Sequence, residues 1–399
     1  MKLIKRIEEL TPEFTAIRRD FHKYPEVGHQ ENVTAEKIAN YLRQWGYQVH
    51  TKIAGTGVVA LLKCGDSSKC LSIRADMDAL PIEEANCFAH ASVNKGVMHA
   101  CGHDGHMTMA LLAARYLAET QHFNGTVQFI FQPCEEQDGG ASDMVNDGLF
   151  ERFPTDCMIA CHNWPDVPQG KIALNRQTIM ASCNAFRILV RGRGAHGAMP
   201  DNGIDPLFVA VQIANSLQGI ITRIKRPIDP AVLSICKITA GETYNVIADT
   251  AEIEGTVRTF SEDVTNLIAD HMQKIASHVA CAFGATAEVN FIRQVPPVTN
   301  NPQWVDQIQN AATEVLGQEA VLIQEPVMPS EDFGVFLKHC PGALFFIGNG
   351  EGKHRQEGHG PGPCALHNPS YDFNDAILPV GASIFARIAE NYLSLSVRR

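Results

Sequence analysis

The chain has 399 residues, of which 45% are hydrophobic and 19% are charged, a balance that is typical of a globular protein and excludes a disordered or fibrous one. The length exceeds that of one ordinary hydrophobic core, so two domains are expected. The formal net charge of -11 argues against a general nucleic-acid surface or an acidic-membrane surface. Neither nucleic acid nor membrane is therefore an expected partner.

The first ten residues alternate charged and apolar side chains at helical spacing and lack the apolar core of a signal peptide. No apolar run long enough to span a bilayer is apparent in the sequence. Twelve cysteines without a secretory signal indicate a reducing compartment, in which most thiols act as small buried hydrophobic groups. A cytoplasmic location is expected.

The first part of the chain alternates predicted strands and helices. Strands are predicted over 71–76, 126–131 and 156–161. A helix is predicted over 108–119, with Asp104 placed to cap its start. Near-continuous apolar strands separated by helices predict an α/β domain with a largely parallel, doubly wound sheet.

The pattern of predicted strands and helices changes between about 184 and 294, and this change predicts an inserted domain. Strands are predicted over 185–190, 231–239, 250–259 and 286–292, and helices over 206–222 and 262–282. The order βαββαβ is the ferredoxin-like α+β plan. The α/β pattern resumes with a strand over 343–348 and a helix over 377–393, so the larger domain is predicted to comprise 1–183 and 295–399.

The densest group of reactive side chains lies in 98–106, which holds three histidines, a cysteine and an aspartate. Core packing does not explain such a density, whereas a transition-metal site requires it. Each further candidate group follows the end of a predicted strand: Asp76 and Asp78, then Glu135 and Glu136, then His162. Because open α/β sheets bind ligands at that edge, these groups are expected to converge.

Cys101 and His103 lie two residues apart, so their side chains would point the same way on an extended chain. A thiolate with imidazoles suits zinc, and imidazole with carboxylate also suits manganese, cobalt or nickel. Together with Glu136, His162 and a late histidine they exceed the needs of one tetrahedral ion, so two ions about 3.5–4 Å apart are predicted. One structural zinc, or ordinary polar residues at a domain interface, is the alternative.

The adjacent carboxylates Glu135 and Glu136 are interpreted as one free general base and one metal ligand, although such pairs are common on solvated surfaces. His354, His359 and His367 compete for the last ligand position. His367 is selected because it opens the polar run 367–375.

Three further candidates have weaker support from the residues alone. His196 lies in a glycine-rich turn, which could present donors to an oxyanion or be simply a turn. Arg258 and Asn245 would ordinarily be a surface arginine and a turn asparagine. The segment 330–333 is either a helix cap or an outer-shell acid, and the cap is favoured.

These motifs resemble those of the metal-dependent aminoacylase and hippurate hydrolase family, which includes plant auxin-conjugate hydrolases and bacterial N-acetyl-diaminopimelate deacetylases. The similarity extends over nearly the whole length. It rests on the segments 74–81, 99–106, 132–136, 162–163, 192–200, 245–247, 330–333 and 367–375.

The resemblance implies a hydrolase that cleaves the amide bond of N-acyl-L-amino acids by attack of a water bridging two divalent ions. Zinc, manganese, cobalt or nickel could serve. The five implied metal ligands are Cys101, His103, Glu136, His162 and His367. Glu135 would be the base that activates the water and later protonates the leaving amine, and Asp78 would orient a ligand from the outer shell.

The resemblance also implies that the inserted domain is a lid that forms a homodimer. His196 would stabilise the oxyanion in the site of the partner subunit, while Asn245 and Arg258 would hold the substrate α-carboxylate. Two positions depart from the family pattern. Cys134 replaces a small residue, which would add thiol sensitivity, and Asp201 replaces a histidine common in relatives, which puts contacts near the lid turn in doubt.

Two other functions remain open. A dipeptidase or aminopeptidase on the same scaffold would need an acidic or carbonyl group for a free α-amino group, and the sequence offers no clear candidate. A non-catalytic protein with one structural zinc would unfold on chelation.

Overall fold

The computed structural model describes residues 1–137 and 139–395, and its elements are numbered here in chain order. The α-helices are α1 (Lys5–Lys23), α2 (Asn32–Gln44), α3 (His103–Thr120), α4 (Gly140–Asn146), α5 (Leu149–Arg152), α6 (Pro206–Gly219), α7 (Glu262–Ala282), α8 (Pro302–Leu316), α9 (Phe333–Phe336) and α10 (Leu378–Tyr392). The strands are β1 (Gln48–Ile53), β2 (Gly57–Cys64), β3 (Cys70–Asp76), β4 (Gly125–Gln132), β5 (Cys157–Trp164), β6 (Ile172–Leu174), β7 (Thr178–Met180), β8 (Cys183–Arg191), β9 (Ala195–His196), β10 (Ala231–Ala240), β11 (Val246–Ile247), β12 (Thr250–Thr259), β13 (Thr286–Val295), β14 (Val298–Thr299), β15 (Val321–Ile323) and β16 (Gly342–Gly348).

The first compact unit comprises Met1–Ile179, Thr299–Glu325 and the described residues from Asp332 onward. Its sheet has the order β1-β2-β4-β3-β5-β16-β6-β15. The pairs β4–β3, β3–β5 and β5–β16 at the centre are parallel, whereas β1, β2 and β4 pair antiparallel at one side. The unit is thus a mixed α/β fold with a mostly parallel central sheet.

The central strands β3, β5 and β16 are buried along their whole length. Strands that are covered on both faces are rich in apolar residues, which is why the apolar segments of the sequence locate β5 and β16. Helices α1, α3 and α10 pack against one another, and α3 lies on β3. Their apolar side chains and those of the strands form one hydrophobic core.

The start of α3 differs from the prediction. The helix begins at His103, five residues earlier than expected, and Asp104 lies inside its first turn. The preceding residue, Gly102, has φ 90° and provides the abrupt entry without a side-chain cap. The capping role predicted for Asp104 is therefore wrong, because its carboxylate accepts hydrogen bonds from Arg18 and His22 instead.

The second unit comprises Met180–Val298 and Pro326–Glu331. Its antiparallel sheet has the order β10-β12-β8-β13, and its elements follow one another as strand, helix, strand, strand, helix, strand. Helices α6 and α7 supply the buried apolar side chains that pack with the sheet in a separate core. The lid and dimerisation role implied by the resemblance stays a prediction.

One stretch of the second unit, Pro206–Ile224, is long and apolar enough to cross a membrane by length and composition. The sequence interpretation that no such run exists was therefore wrong on that narrow point. Core helices of globular proteins pass the same test, and Val209, Ile213 and Leu217 of this stretch are buried in the core of the unit. Asp205 caps the helix by accepting hydrogen bonds from the Leu207 and Phe208 backbone N–H groups.

The site residues of the first unit lie where its parallel strands end. In the sheet, β3 lies between β4 and β5. The last residue of β3, Asp76, pairs in register with Gln132, the last residue of β4. The loops that follow these strands are consequently brought to one edge of the sheet, as the sequence predicts.

Candidate metal and catalytic centre

The sequence-predicted metal ligands of the first unit come together in space. The ligand atoms of Cys101, His103 and His162 lie within 4.8 Å of one another, and those of Cys101, Glu136 and His367 do the same. Cys101 belongs to both groups. Five side chains from four separate segments of the chain thus surround one small region.

The geometry of the 101–103 segment differs from the sequence argument. Cys101 and His103 were expected to project together from extended chain, but Gly102 turns the backbone and His103 is already helical. The turn, rather than strand alternation, brings the thiol and the imidazole to the same region.

Two of the histidines present a defined nitrogen to this region. His103 donates from Nδ1 to the Asp78 carbonyl oxygen at 2.8 Å, and His162 donates from Nδ1 to the Asn163 carbonyl oxygen at 2.7 Å. A neutral imidazole whose Nδ1 carries the proton keeps the lone pair on Nε2. Fixing the tautomer in this way is typical of metal-ligating histidines.

The spacing between donor atoms also suits a cation. The distance is 3.4 Å from Cys101 Sγ to His162 Nε2, 3.3 Å from His367 Nε2 to Glu136 Oε1 and 3.7 Å from His103 Nε2 to Glu136 Oε1. Ligand atoms about 2.1 Å from one tetrahedral ion lie about 3.4 Å from each other. Within the described residues, His103 Nε2 and Glu136 Oε1 are buried without a hydrogen-bond partner. The donor set therefore fits metal binding.

The electrostatics of the region also favour the binding of a metal cation. Burial opposes a charged imidazole, yet the carboxylates of Asp76, Asp78 and Glu136 raise the pKa of His103 to about 10. Burial and the same surplus of negative charge hold the pKa of the Cys101 thiol well above its usual range. A divalent cation would offset this charge and favour the thiolate.

Glu135 precedes the predicted ligand Glu136, and its carboxylate also lies within 4.8 Å of the ligand atoms of His103 and Glu136. Its Oε2 is 4.0 Å from His103 Nε2, and its side chain is only 10% exposed. A carboxylate beside the donor cluster, on the residue before a ligand, is positioned to accept a proton from water in that region.

An outer layer of polar residues holds the ligands, and most of it was not predicted from the sequence. Asp78, which was predicted, accepts the Glu136 backbone N–H at 2.9 Å in addition to holding His103. Asp76 accepts from His106 Nδ1 at 2.7 Å, and the other ring nitrogen of His106 accepts the backbone N–H of Asn163 at 2.9 Å. His106 belongs to the dense 98–106 motif, so the sequence showed a histidine there but could not show its hydrogen-bond partners.

Asn163 connects two ligand segments. Its side-chain nitrogen donates to the Cys101 carbonyl oxygen at 2.6 Å, and its amide oxygen accepts from the Tyr371 hydroxyl at 2.6 Å. Since Asn163 follows His162 directly, it fixes the His162 and Cys101 backbones relative to each other. There is space for this contact only because residue 102 has no side chain.

Gly102→Ala is therefore expected to lower both metal content and activity by about 100-fold or more. An alanine methyl group would overlap the Asn163 amide and come within 2.7 Å of the Tyr371 hydroxyl oxygen, besides adopting an unfavourable φ of 90°. Metal analysis and hydrolysis rates check this.

The control for that prediction is Gly96→Ala. Gly96 also has a positive φ, 75°, but a methyl group there meets only Glu83 Oε2 at 3.9 Å. This variant should lose about 1 kcal/mol of stability and keep its metal. Equal behaviour of the two variants would show that backbone strain, rather than the Asn163 contact, explains the effect.

Asp332 lies in the segment 330–333, which was expected to form a helix cap. It precedes the short helix α9 but forms no side-chain cap. Its carboxylate instead accepts from Gln132 Nε2 at 2.8 Å, from the Ala141 backbone N–H at 2.9 Å and from Arg74 at 3.2 Å. It thus braces both ends of the loop that carries Glu135 and Glu136.

A buried charged cluster lies on the other side of the 103–106 segment. Arg18, which is fully buried, contacts the carboxylates of Asp104, Asp372 and Asp375 at 3.2, 3.1 and 2.8 Å. His354 and His359, which competed with His367 as ligands, interact with Asp372 in this region instead. The cluster connects α1 with the loop that leads from His367.

His22 belongs to this cluster and is the basis of a pH prediction. It donates from Nδ1 to Asp104 at 2.8 Å and from Nε2 to Glu84 at 3.1 Å. Burial and the nearby Arg18 oppose its charge, but the two carboxylates raise the pKa of His22 to about 10.

Protonated His22 should contribute its full amount to the free energy of unfolding below about pH 6.5, the ordinary pKa of histidine. This contribution should be lost as the pH rises through about 10. Thermal unfolding of the wild type and of His22→Gln at pH 6, 8 and 10 measures this. The midpoints should differ by several degrees at pH 6 and converge toward pH 10. A gap that widens with pH would contradict the assigned charge.

The remaining candidates lie in the second unit. His196 and Val246 pair on the ribbon β9–β11, which makes His196 and Asn245 neighbours. His196 Nδ1 accepts the Ala198 backbone N–H at 3.0 Å, so the ring proton is on Nε2. The Asn245 amide oxygen accepts from Thr243 at 3.2 Å, and Arg258 donates to Ser330 Oγ at 2.8 Å.

The two departures from the family pattern have different surroundings. Cys134 is buried, has φ 52°, and burial raises the pKa of its thiol to about 12, which disfavours the reactive thiolate. Asp201 is exposed in the short 3-10 turn Pro200–Asn202.

The sequence and the fold are similar to those of known proteins. The model of peptidase family M20/M25/M40 matches residues 72–391. The chain is 40% identical to the hippurate hydrolase of Campylobacter jejuni, over 98% of this chain and 100% of that protein. It is 37% identical to thermostable carboxypeptidase 1 of Saccharolobus solfataricus, over 98% of each chain. Among solved structures, the Bacillus subtilis YXEP protein, described as a dinuclear metal binding peptidase, superposes with a TM-score of 0.84 at 32% identity, covering 97% of this chain and 99% of that one.

The family match and the named relatives show that the chain is a hydrolase that acts on amide bonds. The chain belongs to peptidase family M20/M25/M40.

Proposed function

We propose that the protein hydrolyses the amide bond of N-acyl-L-amino acids and releases a carboxylate and a free amino acid. Cys101, His103, Glu136, His162 and His367 would hold two divalent metal ions. The observation that carries the proposal is the convergence of these five donors beside Glu135, with His103 Nε2 and Glu136 Oε1 unsatisfied among the described residues.

The names of two relatives support the substrate class. Hippurate is N-benzoylglycine, and a carboxypeptidase cleaves before a C-terminal residue. Both substrates contain an amide whose nitrogen belongs to an amino acid with a free α-carboxylate. The shared element is therefore the leaving amino acid, and the acyl group varies between the two.

When bound, the two metal ions supply Lewis-acid polarisation of the amide carbonyl and lower the pKa of the attacking water. The Glu135 carboxylate accepts the proton of that water and later delivers it to the leaving amine nitrogen. Asp78 keeps the Nδ1–H tautomer of His103 through its carbonyl oxygen and holds the Glu136 backbone. Asp78 thereby orients both His103 Nε2 and, through the Glu136 backbone, the adjacent base Glu135.

Residues of the second unit complete the proposed chemistry. His196 carries its proton on Nε2 and would donate to the oxyanion that develops on the carbonyl oxygen. Arg258 and the amide nitrogen of Asn245 would bind the α-carboxylate. The resemblance assigns His196 to the site of a partner subunit, so the proposed active form is a homodimer.

The test is a hydrolysis assay after reconstitution with zinc, manganese, cobalt or nickel. Hippurate, N-acetyl-methionine and an indole-acetyl amino acid are compared with their α-carboxamides, in which the free carboxylate is absent. We expect hydrolysis of at least one acid and a loss of about 100-fold or more with its amide. Equal rates for acid and amide would contradict the assigned carboxylate recognition.

A second candidate is a carboxypeptidase or dipeptidase, favoured by the named relative from Saccharolobus solfataricus. Faster cleavage of dipeptides than of hippurate and N-acetyl-methionine would select it.

A further inference from the structure

We propose that Glu31 is a positioning residue for Glu135, because its buried carboxylate fixes the turn that carries the acidic pair. The inference rests on the proposed function. Glu31 is remote in sequence from the metal-donor motifs and nothing in its local pattern indicates a role in the site.

Glu31 is fully buried, and its two carboxylate oxygens have different partners. Oε1 accepts the Cys134 backbone N–H at 2.9 Å, and Oε2 accepts the Thr56 hydroxyl at 2.7 Å. Glu31 stands at the N-cap of α2, yet it forms no side-chain cap there. The carboxylate therefore does not serve its own helix but holds a turn 103 residues away.

The contact acts directly on the position of Glu135. The Cys134 N–H before Glu135 is held by Glu31, and the Glu136 N–H after it is held by Asp78 at 2.9 Å. Two buried carboxylates thus fix the backbone on both sides of the proposed base. One of them, Asp78, is already part of the metal-ligand support.

The turn needs external support because its backbone is strained. Cys134 has φ 52°, in the left-handed region that costs a residue with a side chain about 1–2 kcal/mol. The chain near Glu31 also packs closely here, since a methyl group on Gly28 would lie 2.7 Å from Cys134 Sγ. Strain of this kind persists only where the surrounding contacts impose it.

Burying a carboxylate is costly unless the charge is well hydrogen-bonded. Burial raises the pKa of Glu31, whereas its hydrogen bonds with Thr56 and Cys134 lower it. An apolar side chain would be cheaper if only packing mattered. The retained polar group is explained by its two directed hydrogen bonds.

Glu26 provides a control from the same segment. Its carboxylate accepts the Thr34 N–H at 2.8 Å, the Thr34 hydroxyl at 2.9 Å and the Val33 N–H at 3.2 Å. These contacts secure the start of α2 and do not include the 132–137 turn. Glu26→Ala should therefore destabilise the fold without moving Glu135.

The experiment compares Glu31→Ala, Glu31→Gln and Glu31→Asp with Glu26→Ala on the metal-loaded protein. We expect Glu31→Ala to lower kcat about 10- to 100-fold, with KM within about twofold and metal content unchanged. Glutamine keeps an oxygen for Cys134 and can donate to Thr56, so it should restore most of kcat. Aspartate keeps the charge but is one methylene shorter and should not.

Backbone hydrogen exchange gives a readout that is independent of activity. In Glu31→Ala and Glu31→Asp, a peptide covering 132–137 should exchange faster, while Glu31→Gln and Glu26→Ala should leave it protected. Loss of kcat in Glu26→Ala equal to that in Glu31→Ala, or unchanged exchange in Glu31→Asp, would overturn the proposal. If Glu31→Ala does not fold, the contrast between Gln and Asp decides.

Failure of the proposed function has a different signature. A wild-type protein that hydrolyses none of the acyl amino acids would refute that function. The exchange measurement would still report whether Glu31 holds the turn. Hydrolysis by the wild type with no response of kcat to Glu31→Asp would refute the positioning role alone.

Discussion

Glu135→Gln is expected to lower kcat by about 10²–10⁴-fold while metal content and KM stay close to those of the wild type. The amide is the same size as the carboxylate but cannot accept a proton from the attacking water. The side chain is mostly buried beside His103, so bulk solvent cannot easily replace it as the base. Steady-state kinetics and metal analysis of the purified variant check this.

The adjacent residue supplies the comparison. Glu136 Oε1 lies 3.3 Å from His367 Nε2 and 3.7 Å from His103 Nε2, so Glu136→Gln should lose metal as well as activity. Two neighbouring carboxylates would then give opposite results for metal content. Full turnover in Glu135→Gln, or a loss of metal as large as in Glu136→Gln, would remove Glu135 from its assigned role.

Arg18→Ala is expected to destabilise the protein by about 3–5 kcal/mol, the largest effect of a substitution outside the metal-donor cluster. The guanidinium is fully buried and contacts Asp104, Asp372 and Asp375. Removing it takes away the one cation that contacts all three carboxylates, and leaves each of them with weaker partners, among them His22, His359 and Arg19. Urea unfolding, read as a shift in midpoint at constant slope, measures the loss.

Arg19, the next residue on the same helix, provides the control. Its side chain is 50% exposed and contacts only one of those carboxylates, Asp375, at 2.9 Å. Solvent screens such a pair, so Arg19→Ala should cost at most about 1 kcal/mol. Similar losses for Arg18→Ala and Arg19→Ala would show that the buried cluster does not contribute as described.

The elements of the fold were largely predictable because the sequence pattern matches the burial. The strands β3, β5 and β16 are buried along their whole length. β16 and the first part of β5 are apolar runs, whereas β3 alternates apolar residues with Ser72 and Arg74. The strands β1 and β2 were not predicted. Of these two, only β1 lies at the edge of the sheet, and its exposed positions weaken its pattern. β2 lies between β1 and β4 and is largely buried, so its apolar run 57–62 was a signal that the sequence reasoning missed.

The donors of the site were predictable for a related reason. Their side-chain types are unusual at such density, and parallel strands bring their carboxyl ends to one edge of a sheet. Local backbone geometry was less predictable. The turn at Gly102 replaced the extended chain expected between Cys101 and His103, because one residue with φ 90° is enough to redirect the segment.

The sequence by itself predicted the α/β character of the chain, the strands that lead to the site and the candidate metal donors, because residue type and apolar pattern are local properties. The tertiary structure decided which groups hold those donors in place. The carboxylates of Glu31 and Asp332 contact residues 103 and 200 positions away. A hydrogen bond depends on the distance between two atoms in space, and no pattern along the chain records that distance.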